Sequence, residues 1–146
     1  MTLSEFQNQV KRQRSSVISS WCFVADEVLG LTQADAAYEL TQAAVKAGYV
    51  ESRPAPPGET LKHWAVQNKA PLWACFAALD LLIEQGWLPS SDTEWAVLAH
   101  LWIRMQGPFN TLEDVMKSVP SYLHEQQAVF GLALVDNQAF MARKKA

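Results

Sequence analysis

The chain contains no Cys-x-x-Cys pair, no His-x-x-x-His step and no glycine-rich phosphate loop. Metal sites and nucleotide cradles need such spacings, because the ligands must converge on one ion or the backbone must close on a phosphate. The expectation is therefore no metal site, no cofactor and no catalytic residue that can be named from the sequence. His63, His100 and His124 lie far apart, and no nucleophile-base order can be assigned among the hydroxyl, imidazole and carboxylate residues. An enzyme is unsupported on these grounds, although catalytic groups meet in space rather than along a chain.

Cysteine is scarce as well. Cys22 and Cys75 each stand within an apolar helical pattern. Two cysteines in a chain of 146 residues do not make a disulfide scaffold. Free buried cysteine behaves as a small hydrophobe, so both are expected to be reduced and mostly buried.

Charge is thin, at 18% of residues with a net of −3, against about 25% in an average soluble domain. Nucleic-acid binders carry a basic footprint. Here the only basic clusters are Lys11, Arg12 and Arg14 near one end and Arg143, Lys144 and Lys145 at the other. They read as solvated helix faces, and no nucleic-acid partner is expected. Long hydrophobic runs are missing too. The longest, Pro71 to Leu79, is interrupted by Asp80 and ends at Ile83, short of the roughly 18–20 residues that span a bilayer. Met1 to Glu5 lacks the basic-then-apolar layout of a secretory leader. No membrane partner is expected, and a cytoplasmic location is.

What remains is helix, and its boundaries are legible. Hydrophobic residues make up 49% of the chain, enough for a globular core without staples. Ser4-x-x-Gln7 has the form of a capping box, and Phe6, Val10, Val17, Trp21, Val24 and Val28 then recur at mostly helical spacings. One helix to about Leu29 follows, stopped by Gly30, with Ser15-Ser16 as its possible break. Thr32 with Asp35 opens a second helix, with an alanine-rich face, that Gly48 ends. A Pro-rich loop at 49–59 holds Pro54, Pro56 and Pro57, and no helix or central strand continues through it.

A short helix covers about 60–69. The segment at about 71–85 is apolar nearly all round and is expected to lie centrally, with helices on several sides. Gly86 with Trp87 resembles a Schellman stop, Trp87 folding back on Leu82. Ser91-x-x-Glu94 opens a helix closed by Gly107-Pro108, with Trp95, Leu98, Leu101, Trp102 and Met105 on its core face. Asn110-x-x-Glu113 opens another that Pro120 ends, and Ser121 caps the last, weakened at Gly131. No strand alternation and no fixed repeat occur. The fold class expected is an all-α, single-domain bundle of six or seven helices over residues 1–146.

Tryptophan is the conspicuous residue, at positions 21, 64, 73, 87, 95 and 102. Six indoles either fill the core or leave one or two at a pocket rim or subunit contact. Trp73, Asp80 and Glu84 share one stripe of their helix, since steps of three, four and seven stay on one side. The two carboxylates mark a wet edge, a structural salt bridge or an acid/base pair. His100 and Arg104 fall one turn apart, away from the core face of their own helix. A short link from Gly86 to Ser91 should fold these helices antiparallel. Trp73, Asp80, Glu84, His100 and Arg104 are therefore the candidate binding patch. The opening Leu31-Thr-Gln-Ala-Asp-Ala-Ala has the flavour of a helix-turn-helix, but a proline-rich loop follows instead of a basic recognition helix.

The run Leu61 to Leu82, with Trp73-Ala74-Cys75, and the Trp95 to Trp102 helix after it resemble an uncharacterised family of small helical bacterial proteins, some of which accompany secretion-system genes. The resemblance covers about half the chain. It implies a bacterial source, but no activity and no functional residues. The expected function is a non-enzymatic accessory or protein-interaction domain, working through an apolar, Trp-bearing helical surface on a protein partner or on itself as a homodimer. The alternative is a small-molecule-binding helical domain with a Trp/Phe-lined pocket.

Overall fold

The computed structural model describes residues 1–145. It is all-helical, with no strand among the described residues. The α-helices are α1 (Leu3–Gln13), α2 (Ser16–Phe23), α3 (Gln33–Ala47), α4 (Gly58–Gln67), α5 (Leu72–Glu84), α6 (Asp92–Gln106), α7 (Leu112–Ser118) and α8 (Gln127–Lys145). A π-helical turn, Val24–Val28, extends α2, and a 3-10 segment, Ser121–Gln126, precedes α8. The eight α-helices among the described residues correct the expected six or seven. The extra one arises because the single helix predicted from Ser4 to Leu29 is broken at Ser15.

That break has a physical cause. Ser15 is fully buried, and its backbone leaves the helical ladder at φ −77°, ψ 0°. Its N–H donates to Asn68 Oδ1 at 2.8 Å, and its hydroxyl accepts from Ala70 N at 3.0 Å. Arg14 closes the same corner, its guanidinium donating to Ala70 O at 2.8 Å. Arg14 therefore serves the interior of this corner rather than a basic surface. Asn68 ends α4 in the left-handed region, at φ 53°, a conformation asparagine tolerates better than most residues.

Other boundaries follow the sequence closely. Thr32 and Asp35 form a complete capping box, and Ser91 accepts from Glu94 N. At Gly86, φ is 72°, and Trp87 N reaches Leu82 O while Gly86 N reaches Ile83 O. That is the paired bonding of a Schellman stop, and a residue with a β-carbon adopts it reluctantly. Two caps sit one or two residues away from the expected ones. Thr2, not Ser4, caps α1 through Glu5 N, and Thr111, not Asn110, caps α7 through Asp114 N. α8 runs unbroken through Gly131.

The chain divides into two compact units, Arg14–Trp87 and Met1–Gln13 with Leu88–Ala146. In the first, α2 packs on α4 and α5, and α3 packs on α4 and α5. Small residues let α3 and α5 approach closely: Ala36, Ala37 and Ala44 from one, Ala74, Ala77 and Ala78 from the other, all buried. Trp21 is buried there, with Nε1 donating to Ala36 O at 3.0 Å. In the second unit α6 packs on α1 and α8, and α7 on α8. The hydroxyl of Thr93 on α6 donates to Gln9 of α1.

The helix buried around most of its circumference is α6, where Trp95 to Ala99 and Leu101 to Ile103 are all buried. This corrects the placement of the 71–85 segment as the enclosed central helix. α5 keeps one half-exposed side, along Trp73, Phe76, Asp80 and Ile83.

The Ser15 corner yields a stability prediction. Ser15→Ala strands the Ala70 N–H in a buried position, and an unmet buried donor costs about 1–3 kcal/mol. Urea unfolding should show a loss of that size. A loss below about 0.5 kcal/mol, the usual range for an uninvolved surface site, would mean that the corner does not hold the break.

Candidate functional face of the first unit

The half-exposed side of α5 is populated because residues 73, 76 and 80 repeat at three and four and so share one face. Two chain segments close on it. Gly48 ends α3 and delivers Tyr49 to the middle of α5. The ring of Tyr49 stands edge-on to Phe76, with centroids 5.4 Å apart, and its hydroxyl donates to Asp80 Oδ2 at 2.5 Å. The Pro-rich segment then returns Arg53 to the N-terminal end of α5, where its guanidinium lies 4.9 Å from the centroid of Trp73. Trp64 of α4 meets Trp73 edge-on at 6.0 Å, with planes at 89°.

These contacts have the geometry that the aromatic quadrupole favours: an edge toward a face, or a cation over a face. An exposed Arg over an indole contributes about 0.5–1 kcal/mol. Burial raises the pKa of Asp80 above its ordinary value, and the negative charge of Glu84 pushes in the same direction, while the Tyr49 hydrogen bond opposes both. Tyr49 is pushed well above its ordinary range, first by burial and then by its bond to a carboxylate.

The five candidate residues divide between the two units. Trp73, Asp80 and Glu84 stand on α5 in the first. His100 and Arg104 stand on α6 in the second, both half-buried, and the Arg104 guanidinium lies 4.8 Å from the ring centroid of Phe140 on α8. Asp80 and Glu84 are neighbours in charge, but Asp80 is committed to Tyr49. Sequence reasoning missed Tyr49, Arg53, Trp64 and Phe76. The available signals were slight: a tyrosine directly after a helix-ending glycine, and a lone cation inside a proline-rich segment. The six tryptophans split evenly. Trp21, Trp95 and Trp102 are buried, and Trp64, Trp73 and Trp87 are half-buried.

A second feature of the same unit is a cleft of about 280 Å³ beside the π-helical turn. Cys22, Phe23, Leu31, Ala36, Gly58 and Lys62 line much of it. Phe23 is 65% exposed, and π-turns often occur at functional sites. Gly58 sits so close to α3 that an added β-carbon would come within 2.5 Å of the Gln33 carbonyl carbon. Cys22 is half-buried at this rim, whereas Cys75 is fully buried. Burial raises both thiol pKa values, that of Cys75 to about 11 despite the opposing charge of Arg14. Among the described residues no group of three or more His, Cys, Asp or Glu side chains could hold a metal ion, and no helix is long and apolar enough to cross a membrane.

Two measurements follow. A thiol reagent acting on native protein should label Cys22 slowly and leave Cys75 untouched until unfolding, since access and thiolate fraction both set the rate. Labelling of Cys75 at the rate of Cys22 would contradict its burial. The raised pKa of Asp80 has a defined sign in stability. Its contribution is fully present below the ordinary value of 3.8 and is lost as pH rises through the higher folded value. Asp80→Asn keeps an acceptor for Tyr49, so it should flatten the fall in stability as pH rises above 3.8. An unchanged slope in urea titrations across that range would remove the carboxyl from the pH dependence.

Comparison of the chain with protein-family models, with curated proteins and with solved structures gives no match, so a functional reading rests on the residues of this face.

Proposed function

We propose that the chain is a non-enzymatic protein-interaction module, bacterial, cytoplasmic and secretion-associated, that engages its partner through the aromatic face of α5. The observation that carries this reading is the arrangement of Trp64, Trp73, Tyr49 and Phe76 around α5, all half-buried, with Arg53 over one indole. Tryptophan, tyrosine and arginine dominate binding energy at protein interfaces, because they offer large, fairly rigid area with one polar handle. Here the rings are already held by one another, so a partner that covers them loses little side-chain entropy on docking. The bacterial and secretion-associated part of the reading rests on the family resemblance of the Leu61 to Leu82 and Trp95 to Trp102 segments.

A second reading, small-molecule binding, draws support from the cleft beside the π-helical turn. Its 280 Å³ is at the lower edge of the usual ligand-pocket range of about 300–1,000 Å³. Its lining includes Phe23 but no tryptophan.

A photo-reactive phenylalanine analogue placed at Trp73 in the producing cell tests the first reading. It should give one discrete protein adduct, and the same probe at Val66, which is 86% exposed, should give none. Equal labelling at both positions, or none at either, would count against the α5 face. A small molecule retained in native mass spectrometry and lost in Phe23→Ala would favour the cleft instead.

A further inference from the structure

The aromatic face of α5 is polar along its length. At the N-terminal end the Arg53 guanidinium lies over Trp73. At the C-terminal end Glu84 is exposed, one turn beyond Asp80, whose carboxyl is bound to Tyr49. Between the two ends lie the half-buried side chains of Phe76, Asp80 and Ile83. Trp73 and Glu84 are eleven residues apart, about 16 Å along the axis at 1.5 Å per residue. Among the described residues neither Arg53 nor Glu84 forms an ion pair.

A strip with a cation at one end and an exposed carboxylate at the other is complementary to itself turned through 180°, while the Asp80 carboxyl near its middle is held by Tyr49 of its own copy. In a two-fold pair, residue i meets j and j meets i, so one favourable pairing occurs twice. The helix dipole favours the same arrangement, because the carboxylate of one copy meets the positive end of the other copy's α5.

Resting on the reading of this face as an interaction surface, we infer that its occupant is a second copy of the chain. The two α5 helices run antiparallel, with Arg53 of each copy against Glu84 of the other and the Phe76 rings near the axis. A strip about 20 Å long and 10 Å wide falls well below the ~800 Å² per partner of a standard interface. The dimer is therefore weak and reversible, and it weakens as salt screens the two ion pairs.

The test is sedimentation of the full chain from about 1 to about 500 μM, a range that brackets micromolar association. The mass should rise from the 16.3 kDa monomer toward twice that value. Arg53→Glu and Glu84→Arg change exposed side chains, and far-UV spectra should show both variants folded. Each variant alone brings like charges together at both ends of the strip and should weaken association at least tenfold. An equimolar mixture of the two restores opposite charges at both ends and should sediment as a heterodimer.

A wild-type chain that stays monomeric overturns the inference. So do charge reversals that leave association unchanged, or a mixture that fails to restore it. If the wild-type chain is monomeric while the probe at Trp73 captures a different protein, the second copy is wrong and the interaction surface stands. If it is monomeric and the probe captures nothing, both fail.

Discussion

The first unit depends on a corner where two helix junctions lock together through buried backbone groups. A helix that breaks inside a protein frees N–H and C=O groups that water cannot reach, and each must find a partner. At the α1–α2 junction the partners come from the α4–α5 junction, through Ser15, Asn68, Ala70 and the guanidinium of Arg14. The exchange is reciprocal: each junction completes the other's hydrogen bonds, so neither is stable in this form alone. It also fixes where Pro71 starts α5, and so where Trp73 emerges. The aromatic face inherits its position from a hydroxyl that no solvent touches.

Much of the helical grammar was legible because its signals are local. Thr32 with Asp35 and Gly86 before Trp87 act over three to five residues and are realised in full, while Ser91 caps Glu94 N but the Glu94 carboxylate accepts from Ser90 instead. What could not be read depends on distant residues. Ser15-Ser16 hinted at a break, but the groups that make the break stable lie 53 and 55 residues further on. Likewise nothing near Tyr49 announces that its hydroxyl will meet Asp80, 31 residues away.

Burial was misjudged for a related reason. The 71–85 segment is the more apolar by composition, yet α6 is the more enclosed helix, because periodicity does not say how many neighbours a helix has. Of the candidate patch, the α5 stripe was found through spacing alone. Its companions Arg53, Trp64 and Tyr49 come from other elements and leave no spacing signal.

The α5 face also shows how a surface can be ordered without being buried. Each of its rings is held by a neighbour: Trp73 by Trp64 and Arg53, Phe76 by Tyr49, and Tyr49 by Asp80. No single contact is large, but together they restrict side chains that would otherwise lose freedom only on binding. A face ordered in this way is less adaptable than a methionine-rich one and better suited to a single, repeated partner geometry.

Surface loops generally absorb insertions with little harm, but the Pro-rich segment is a different kind of connection. It is anchored at one end by Arg53 on Trp73 and at the other by Gly58, seated against Gln33 where no β-carbon fits. Only residues 54–57 lie between these anchors, and Pro54, Pro56 and Pro57 stiffen them. The segment thus acts as a strut of set length. Adding or removing one residue would pull either the guanidinium off its indole or the α4 backbone off α3, so a tag or fusion point placed here would disturb the aromatic face or the cleft.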